Sequence, residues 1–372
     1  MPPSDNSLRV AHIEMGAHLY GGAQQVLYLL ETLPRLQIDS LLICPAGSAI
    51  GAAARERGLA VEAVPYSGDL DWRATGRIAE ILRRHQIDLV HVHSRRGADI
   101  WGGLAARRVG LPCVLSRRVD NPESKWSAWV KYRLYARVIA ISEGIATVLR
   151  LAGVPSAKIV CIRSAVDWQR FQSVVDRRSL ASRFGLPDDA MVVGMAAQLI
   201  PRKGHDLMLE AVARLRSTWP SLHVLVMGKG PLAASLDESI RRGGLSDCIH
   251  RVGFLEDLEA VLPGLLFLVH PARTEGLGVA LLQSASAGVA VIASDVGGMP
   301  EAVLHEKTGL LIPVDDVDAL TAAMQRLLAD PAQTQRYGEA GRERMRAEFS
   351  ITAMAEGNAR IYRELVAGGG QP

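Results

Sequence analysis

The sequence predicts an α/β protein made of two doubly wound, Rossmann-like domains in tandem, facing a cleft. Three observations predict it. Short apolar runs alternate with amphipathic stretches along the 372 residues, the rhythm of a parallel sheet with helices on both faces. A polar segment at 172–188 interrupts the alternation. It is read as the connection between a first domain at 1–172 and a second at 189–350. Residues 351–372 are a terminal helix region expected to pack back toward the first domain. The strand ends carry Gly-rich or charged turns, and ligands of such sheets sit at carboxyl ends of strands.

The first strand is LRVAHIE at 8–14, followed by a loop ending in Gly21-Gly22. A helix begins near Ala23, with Val26, Leu27, Leu29 and Leu30 turned inward. The glycine spacing is not the dinucleotide fingerprint GxGxxG, so the loop is either an ordinary βα turn or a phosphate contact. Strands at 40–47, 59–65 and 87–94 alternate with helices at 48–58, 71–85 and 97–110. The strand at 87–94 ends in His91, His93 and Ser94, which makes His93 a candidate at a ligand-bearing strand end. A further strand spans 112–118.

Residues 116–137 place Trp126, Trp129, Val130 and Leu134 on one helical face, among Arg117, Arg118, Lys125, Lys131, Arg133 and Arg137. Aromatics with surrounding cations suit either a core helix with a solvated basic face or a helix lying on an anionic bilayer. A strand, a Ser-led helix and another strand complete the first domain by residue 163.

The second domain opens with a strand at 191–197 that enters Gln198, Arg202, Lys203 and Gly204. Adjacent cations at a strand-to-helix turn favour an anion. HVLVMGKGP at 223–231 and CIHRVGFL at 248–255 repeat the strand scheme. Then comes the most informative stretch. An apolar run at 265–269 reaches a polar turn with Glu275, Gly276, Leu277 and Gly278, and a helix follows from Val279 to Ala287. A second strand at 289–293 leads to Gly297-Gly298. A helix start offers unpaired N–H groups and the positive end of a dipole, which suits phosphate. Gln283 lies two turns below Glu275, so the pair brackets an elongated ligand. A helix at 317–328 and a long helical region to 366 close the chain.

Apolar content of 48% and charged content of 22% describe a globular chain. The net charge of +3 is uneven: residues 1–165 hold 21 Lys/Arg against 14 Asp/Glu, leaving 21 against 25 in the rest. The basic first half implies an anionic partner. Four scattered cysteines without ligand spacing read as buried free thiols. The N-terminus lacks the pattern of a signal peptide, and no run reaches the ~18 apolar residues of a membrane span. The expected location is cytoplasmic, with room for peripheral attachment to the inner face of the membrane. No nucleic-acid motif is present.

Taken together, Gly21-Gly22, His93, ISEGIA…KIVCIRSAVDWQRF, Gln198-Leu199…Arg202-Lys203-Gly204, Gly228-Lys229-Gly230 and HPARTEGLGVALLQSASAG with DVGGMPE resemble glycosyltransferase family 4, with its two-domain GT-B fold. The resemblance covers nearly the whole chain. It implies retaining transfer of a sugar from a nucleotide-diphosphate sugar, UDP favoured, without a bound metal or other cofactor. The implied acceptor is an envelope glycan or glycolipid such as lipopolysaccharide, reached by an enzyme that is cytoplasmic or peripheral on an anionic membrane through 116–137. It also implies roles. Lys203, with Arg202 and the backbone at Gly276, Leu277 and Gly278, would bind the diphosphate, and Glu275 would accept bonds from donor-sugar hydroxyls. Position 283 would hold the ribose, Gly21 and Gly22 would approach the phosphates, and His93 would face the reacting sugar. Asp120 is a further acceptor-side candidate.

Two departures stand out. The family motif has a second glutamate where this chain has Gln283, whose amide accepts without charge assistance. Gln198 stands where the family often has Arg, and Arg202 is placed to supply that charge. The competing readings are a nucleotide-sugar epimerase on the same architecture and a nucleotide-sugar-binding protein without catalysis.

Overall fold

The computed structural model describes residues 7–19, 21–93, 97–119, 121 and 123–368. The chain divides into two compact units, residues 1–165 with 351–372, and residues 166–350.

The first unit carries seven parallel strands: β1 (Leu8–Ile13), β2 (Ile38–Pro45), β3 (Val61–Val64), β4 (Leu89–Val92), β5 (Cys113–Arg117), β6 (Arg137–Ala140) and β7 (Ile159–Cys161). The intervening helices are α1 (Gly21–Thr32), α2 (Ala49–Glu56), α3 (Ala74–Arg84), α4 (Ala98–Val109), α5 (Lys125–Tyr132) and α6 (Glu143–Leu151). The strand order is β3-β2-β1-β4-β5-β6-β7. The direction of winding therefore reverses between β1 and β4, where a crevice forms for ligands. Strands such as β1 and β4 are buried on both faces, which explains their nearly continuous apolar runs.

The second unit holds α7 (Arg177–Arg183), β8 (Met191–Ala196), α8 (His205–Leu215), β9 (Leu222–Met227), α9 (Ala233–Arg242), β10 (Ile249–Gly253) and β11 (Phe267–His270). It continues with α10 (Val279–Ser286), β12 (Ala290–Ser294), α11 (Met299–Ala302), β13 (Gly309–Ile312), α12 (Val317–Ala329) and α13 (Pro331–Glu348). Its order, β10-β9-β8-β11-β12-β13, reverses between β8 and β11. Leu266, Phe267, Val269 and Ile292 pack with Met208, Val212 and Leu327 in one core.

Two expectations need adjustment. Residues 172–188 fall within the second unit and contain α7, whose first turn is capped by Asp176 accepting from Ser179 N–H. The long terminal helical region is two helices, broken at Phe349-Ser350, where the chain passes from one unit to the other. The second of them, α14 (Ile351–Ala367), belongs to the first unit and buries Met354, Ala355, Ile361 and Tyr362 there. Among the described residues no disulfide is formed, and Cys161 on β7 is only half-buried. No described helix is long and apolar enough to cross a membrane.

Candidate functional site

In the second unit the loops after β8 and β11 meet at the reversal point. They are sewn together by Arg273, missed in the sequence because its neighbours are distant in the chain. Its N–H donates to the Arg202 carbonyl at 2.8 Å, and its guanidinium donates to the Pro201 carbonyl at 2.8 Å and to both Asp206 oxygens. Arg202 in turn donates to the Thr274 carbonyl at 3.0 Å. The loops approach so closely that only glycine fits at 204. Its φ is +73°, and a Cβ there would overlap the Pro271 carbonyl.

This contact delivers Lys203 to Glu275. The ammonium donates to Glu275 Oε2, which also receives His270 Nε2 at 3.2 Å, while Glu275 Oε1 accepts the Gly276 N–H at 3.2 Å. The Lys203 and Glu275 side chains are 9% and 15% exposed. Burial pushes the Glu275 carboxyl up, but the His270 bond and the Lys203 charge outweigh it and hold the group well below the usual carboxylate range. An ionised carboxylate only accepts. His270 therefore carries its proton on Nε2, and burial, opposed by Glu275, lowers its pKa. His270 Nδ1 is buried without a hydrogen-bond partner among the described residues. His270 stood in the sequence only as a strand end.

Among the described residues, six helices begin with a Ser or Asp side chain accepting from the first turn. α10 does not. Its N-cap is Gly278 at φ +84° with no side-chain cap. Leu277, Gly278, Val279 and Ala280 N–H donate to no other described residue. Open donors, a helix dipole and a lysine at one strand crossover form a phosphate cradle in chemical character. Gln283 is half-buried one turn further, and its side chain makes no hydrogen bond to another described residue.

At the reversal point of the first unit, parallel pairing sets His12 on β1 opposite His91 on β4. The two-residue period carries His93 to the same face as His91. His12 Nδ1 lies 2.9 Å from His93 Nε2, and His12 Nε2 lies 3.4 Å from Ser40 Oγ. His91 Nδ1 meets Tyr362 Oη at 2.5 Å and its Nε2 meets Ser116 Oγ at 2.8 Å. Arg118 donates to His93 Nδ1 at 3.5 Å. An arginine can only donate, so His93 Nδ1 accepts, and its proton sits on Nε2 and points to His12 Nδ1. Burial lowers all three histidines, His12 to about 3 and the others well below their ordinary value, so the cluster is neutral. Ligating atoms of the three lie within 4.8 Å of one another. Every ring nitrogen already has a protein partner, so a metal would have to displace these bonds. The HVH alternation was the signal that could have found the cluster; His12 and Tyr362 had none.

The structure thus brings Arg202, Lys203, Glu275, Gly276, Leu277, Gly278 and Gln283 together in the second unit, and Gly21, Gly22 and His93 in the first. Ser94 and Asp120 lie outside the described residues. The 116–137 segment is built differently from its helical wheel. α5 buries Ala128, Lys131 and Tyr132, and leaves Trp126 and Trp129 75% and 58% exposed. Arg117 and Lys131 are buried and pair with Glu123. These two cations are therefore not part of the exposed basic face, which keeps Lys125 and Arg133, the latter stacked 4.4 Å over Trp129.

Residues 20–170 match the family model for "Glycosyltransferase Family 4", and residues 176–344 match "Glycosyl transferases group 1". The chain is 31% identical over 284 residues to a GDP-mannose-dependent alpha-(1-6)-phosphatidylinositol monomannoside mannosyltransferase of Mycolicibacterium smegmatis, covering 72% of this chain and 74% of that one. It is 29% identical over 284 residues to the lipopolysaccharide core biosynthesis mannosyltransferase LpsB of Rhizobium meliloti, covering 74% and 79%. Its fold matches the crystal structure of Anabaena Alr3699/HepE in complex with UDP, with a TM-score of 0.86 at 19% identity over 96% of this chain and 100% of that one.

Proposed function

The chain belongs to glycosyltransferase family 4 with the GT-B fold, and from that premise we propose a retaining transfer from a nucleotide-diphosphate sugar to an envelope glycan or glycolipid such as lipopolysaccharide. The observation that carries the proposal is the Lys203–Glu275–His270 cluster beside the four open N–H groups at the start of α10. Cleavage of the bond between the anomeric carbon and the diphosphate leaves negative charge on the diphosphate. Lys203, Arg202 and the α10 N–H groups stabilise that charge as it develops. Glu275, held ionised, accepts from hydroxyls of the donor sugar, and Gln283 accepts from the ribose. The new bond forms on the face the leaving group vacates, and the acceptor proton passes to a diphosphate oxygen. No separate protein base is required, and charge stabilisation comes from the protein without a metal.

In the first unit, Gly21 and Gly22 allow close approach of phosphate. His93 Nδ1, bonded among the described residues by Arg118 alone, at 3.5 Å, is the atom a hydroxyl of the reacting sugar takes over. The acceptor assignment is supported by the relatives that act on phosphatidylinositol mannoside and lipopolysaccharide core. It is supported also by the exposed Trp126 and Trp129 with Lys125 and Arg133, and by a groove of about 630 Å³ lined by Ile100, Leu104, Val130 and Leu134. Such a face suits an anionic bilayer at the cytoplasmic side. Salt-reversible co-sedimentation with anionic vesicles is the expected result, and absence of binding at low salt removes the membrane part of the proposal.

The donor is tested by a thermal-shift panel of UDP- and GDP-sugars in EDTA. UDP-sugars are the first candidates, since the structural neighbour is a complex with UDP, and GDP-mannose is the competitor named by a relative. A ligand at 100 times its Kd stabilises the folded state by about 2.7 kcal/mol. A panel in which no nucleotide sugar raises the midpoint overturns the proposed function.

A further inference from the structure

We infer that Arg118, beneath Gly22 at the start of α1, is a phosphate-binding residue of the first unit. The claim deepens the proposed function, on which it rests for the source of the phosphate.

Arg118 follows β5 directly and is partly buried. Most buried cations of this protein have carboxylates. Arg117 has Glu123 at 3.1 Å, Lys131 has Glu123 and Asp99, and Lys203 has Glu275. Among the described residues Arg118 pairs with none. Its two hydrogen bonds are long and go to neutral atoms, Ser164 Oγ at 3.4 Å and His93 Nδ1 at 3.5 Å. Its Nε is buried with no partner among the described residues. Glu14 contributes a favourable field but lies outside pairing distance, and one of its oxygens accepts the Gly16 N–H at 2.8 Å. A guanidinium stays charged and presents five donors in a planar fork. Withdrawn from water without a counter-ion it is destabilising, and an arriving anion relieves this.

Gly22 supplies the second observation. Its backbone has no positive φ, so the conformation does not demand glycine. Among the described residues a Cβ there would meet only Arg118 Cδ, at 3.4 Å. Alanine would favour the helix, yet glycine keeps the space over Arg118 open. A tetrahedral oxyanion with parallel acceptors fits a guanidinium fork better than a single carbonyl does. Two sources share that chemistry: the diphosphate of the nucleotide sugar, and a phosphate carried by the acceptor.

The test uses the full chain. Calorimetry with inorganic phosphate, pyrophosphate, UDP and GDP compares wild type, Arg118→Gln, Arg118→Lys and Lys203→Ala. Arg118→Gln should weaken phosphate or pyrophosphate binding roughly 10-fold or more, as for a lost charge-assisted bond, and Arg118→Lys should recover part of it. The Arg118-dependent portion should persist in Lys203→Ala, which separates this claim from the donor assignment. If UDP or GDP affinity falls in Arg118→Gln, the phosphate is the donor's. If nucleotide affinity is unchanged while phosphate no longer competes with acceptor, the phosphate is the acceptor's. Should Arg118→Gln fail to fold, Gly22→Ala reads the same position, since its methyl fills the space over the stem and should also weaken phosphate. Wild-type affinity for all four probes in the folded variants overturns the inference.

Discussion

The two strand-reversal points handle charge in opposite ways. In the second unit, cation, carboxylate and imidazole are paired before any ligand arrives: Lys203 holds Glu275, and His270 holds the same carboxylate oxygen. In the first, His12 and His93 hydrogen-bond each other and His91 bonds Tyr362 and Ser116, all three neutral, while the adjacent Arg118 has no carboxylate partner among the described residues. The difference teaches where each half gets its specificity. Under the proposed function, a ligand of the second unit would compete with Glu275 for Lys203, which would favour ligands that offer both a diphosphate and hydroxyls. Among the described residues the first unit offers a neutral histidine floor beside an Arg118 without a carboxylate, and under the inference drawn above an anion would complete it.

The comparison breaks most severely if the loop junction of the second unit is disturbed. Gly204→Ala would place a side chain in left-handed backbone and against the Pro271 carbonyl. A loss of about 2–4 kcal/mol is expected from strain and overlap together, read by urea denaturation. Wild-type stability would mean that the loops are not locked as described.

The neutrality of the first unit is open to a pH test. His12 has a pKa of about 3 in the folded chain, against about 6.5 unfolded. The unfolded chain therefore takes the proton first. The contribution of His12 is complete above about pH 6.5 and is lost as the pH falls toward 3. The slope is about 1.4 kcal/mol per pH unit. His12→Gln should flatten the stability profile by about that slope between pH 6 and 4, with His91, His93 and Arg118 still facing the position. An unchanged profile would show that His12 is already protonated in the fold. The smallest effect is expected at position 283. Gln283→Glu adds charge assistance to a neutral hydrogen bond, so nucleotide affinity should rise by roughly 5-fold, near 1 kcal/mol. Weaker binding would show that the amide is adapted to a different contact.

Much of this was legible in the chain, for physical reasons that differ by element. Period and apolar runs placed the strands because parallel sheets are buried on both faces, and β11, α10 and β12 lie within two residues of their expected bounds. Lys203 and Glu275 were legible through their turn chemistry, but their direct ion pair was not, since it joins loops 72 residues apart. His12, Arg118 and Arg273 were silent for the same reason: each acts through a partner that only strand order brings near, whereas His270 meets Glu275 five residues along its own loop and carried no signal beyond its place at a strand end. The aromatic face of 116–137 left two readings open, a core helix or a surface one. Periodicity groups residues on one side of a helix without saying which side is buried, and here Lys131 went in while Trp126 and Trp129 stayed out.

Lys203 is the proposed charge clamp for a departing diphosphate, and single-turnover kinetics of Lys203→Ala with the donor selected by the panel test that role most directly. Loss of about 10²-fold or more in the transfer rate, with the variant still folded, is the predicted result. A transfer rate near that of the wild type would contradict it.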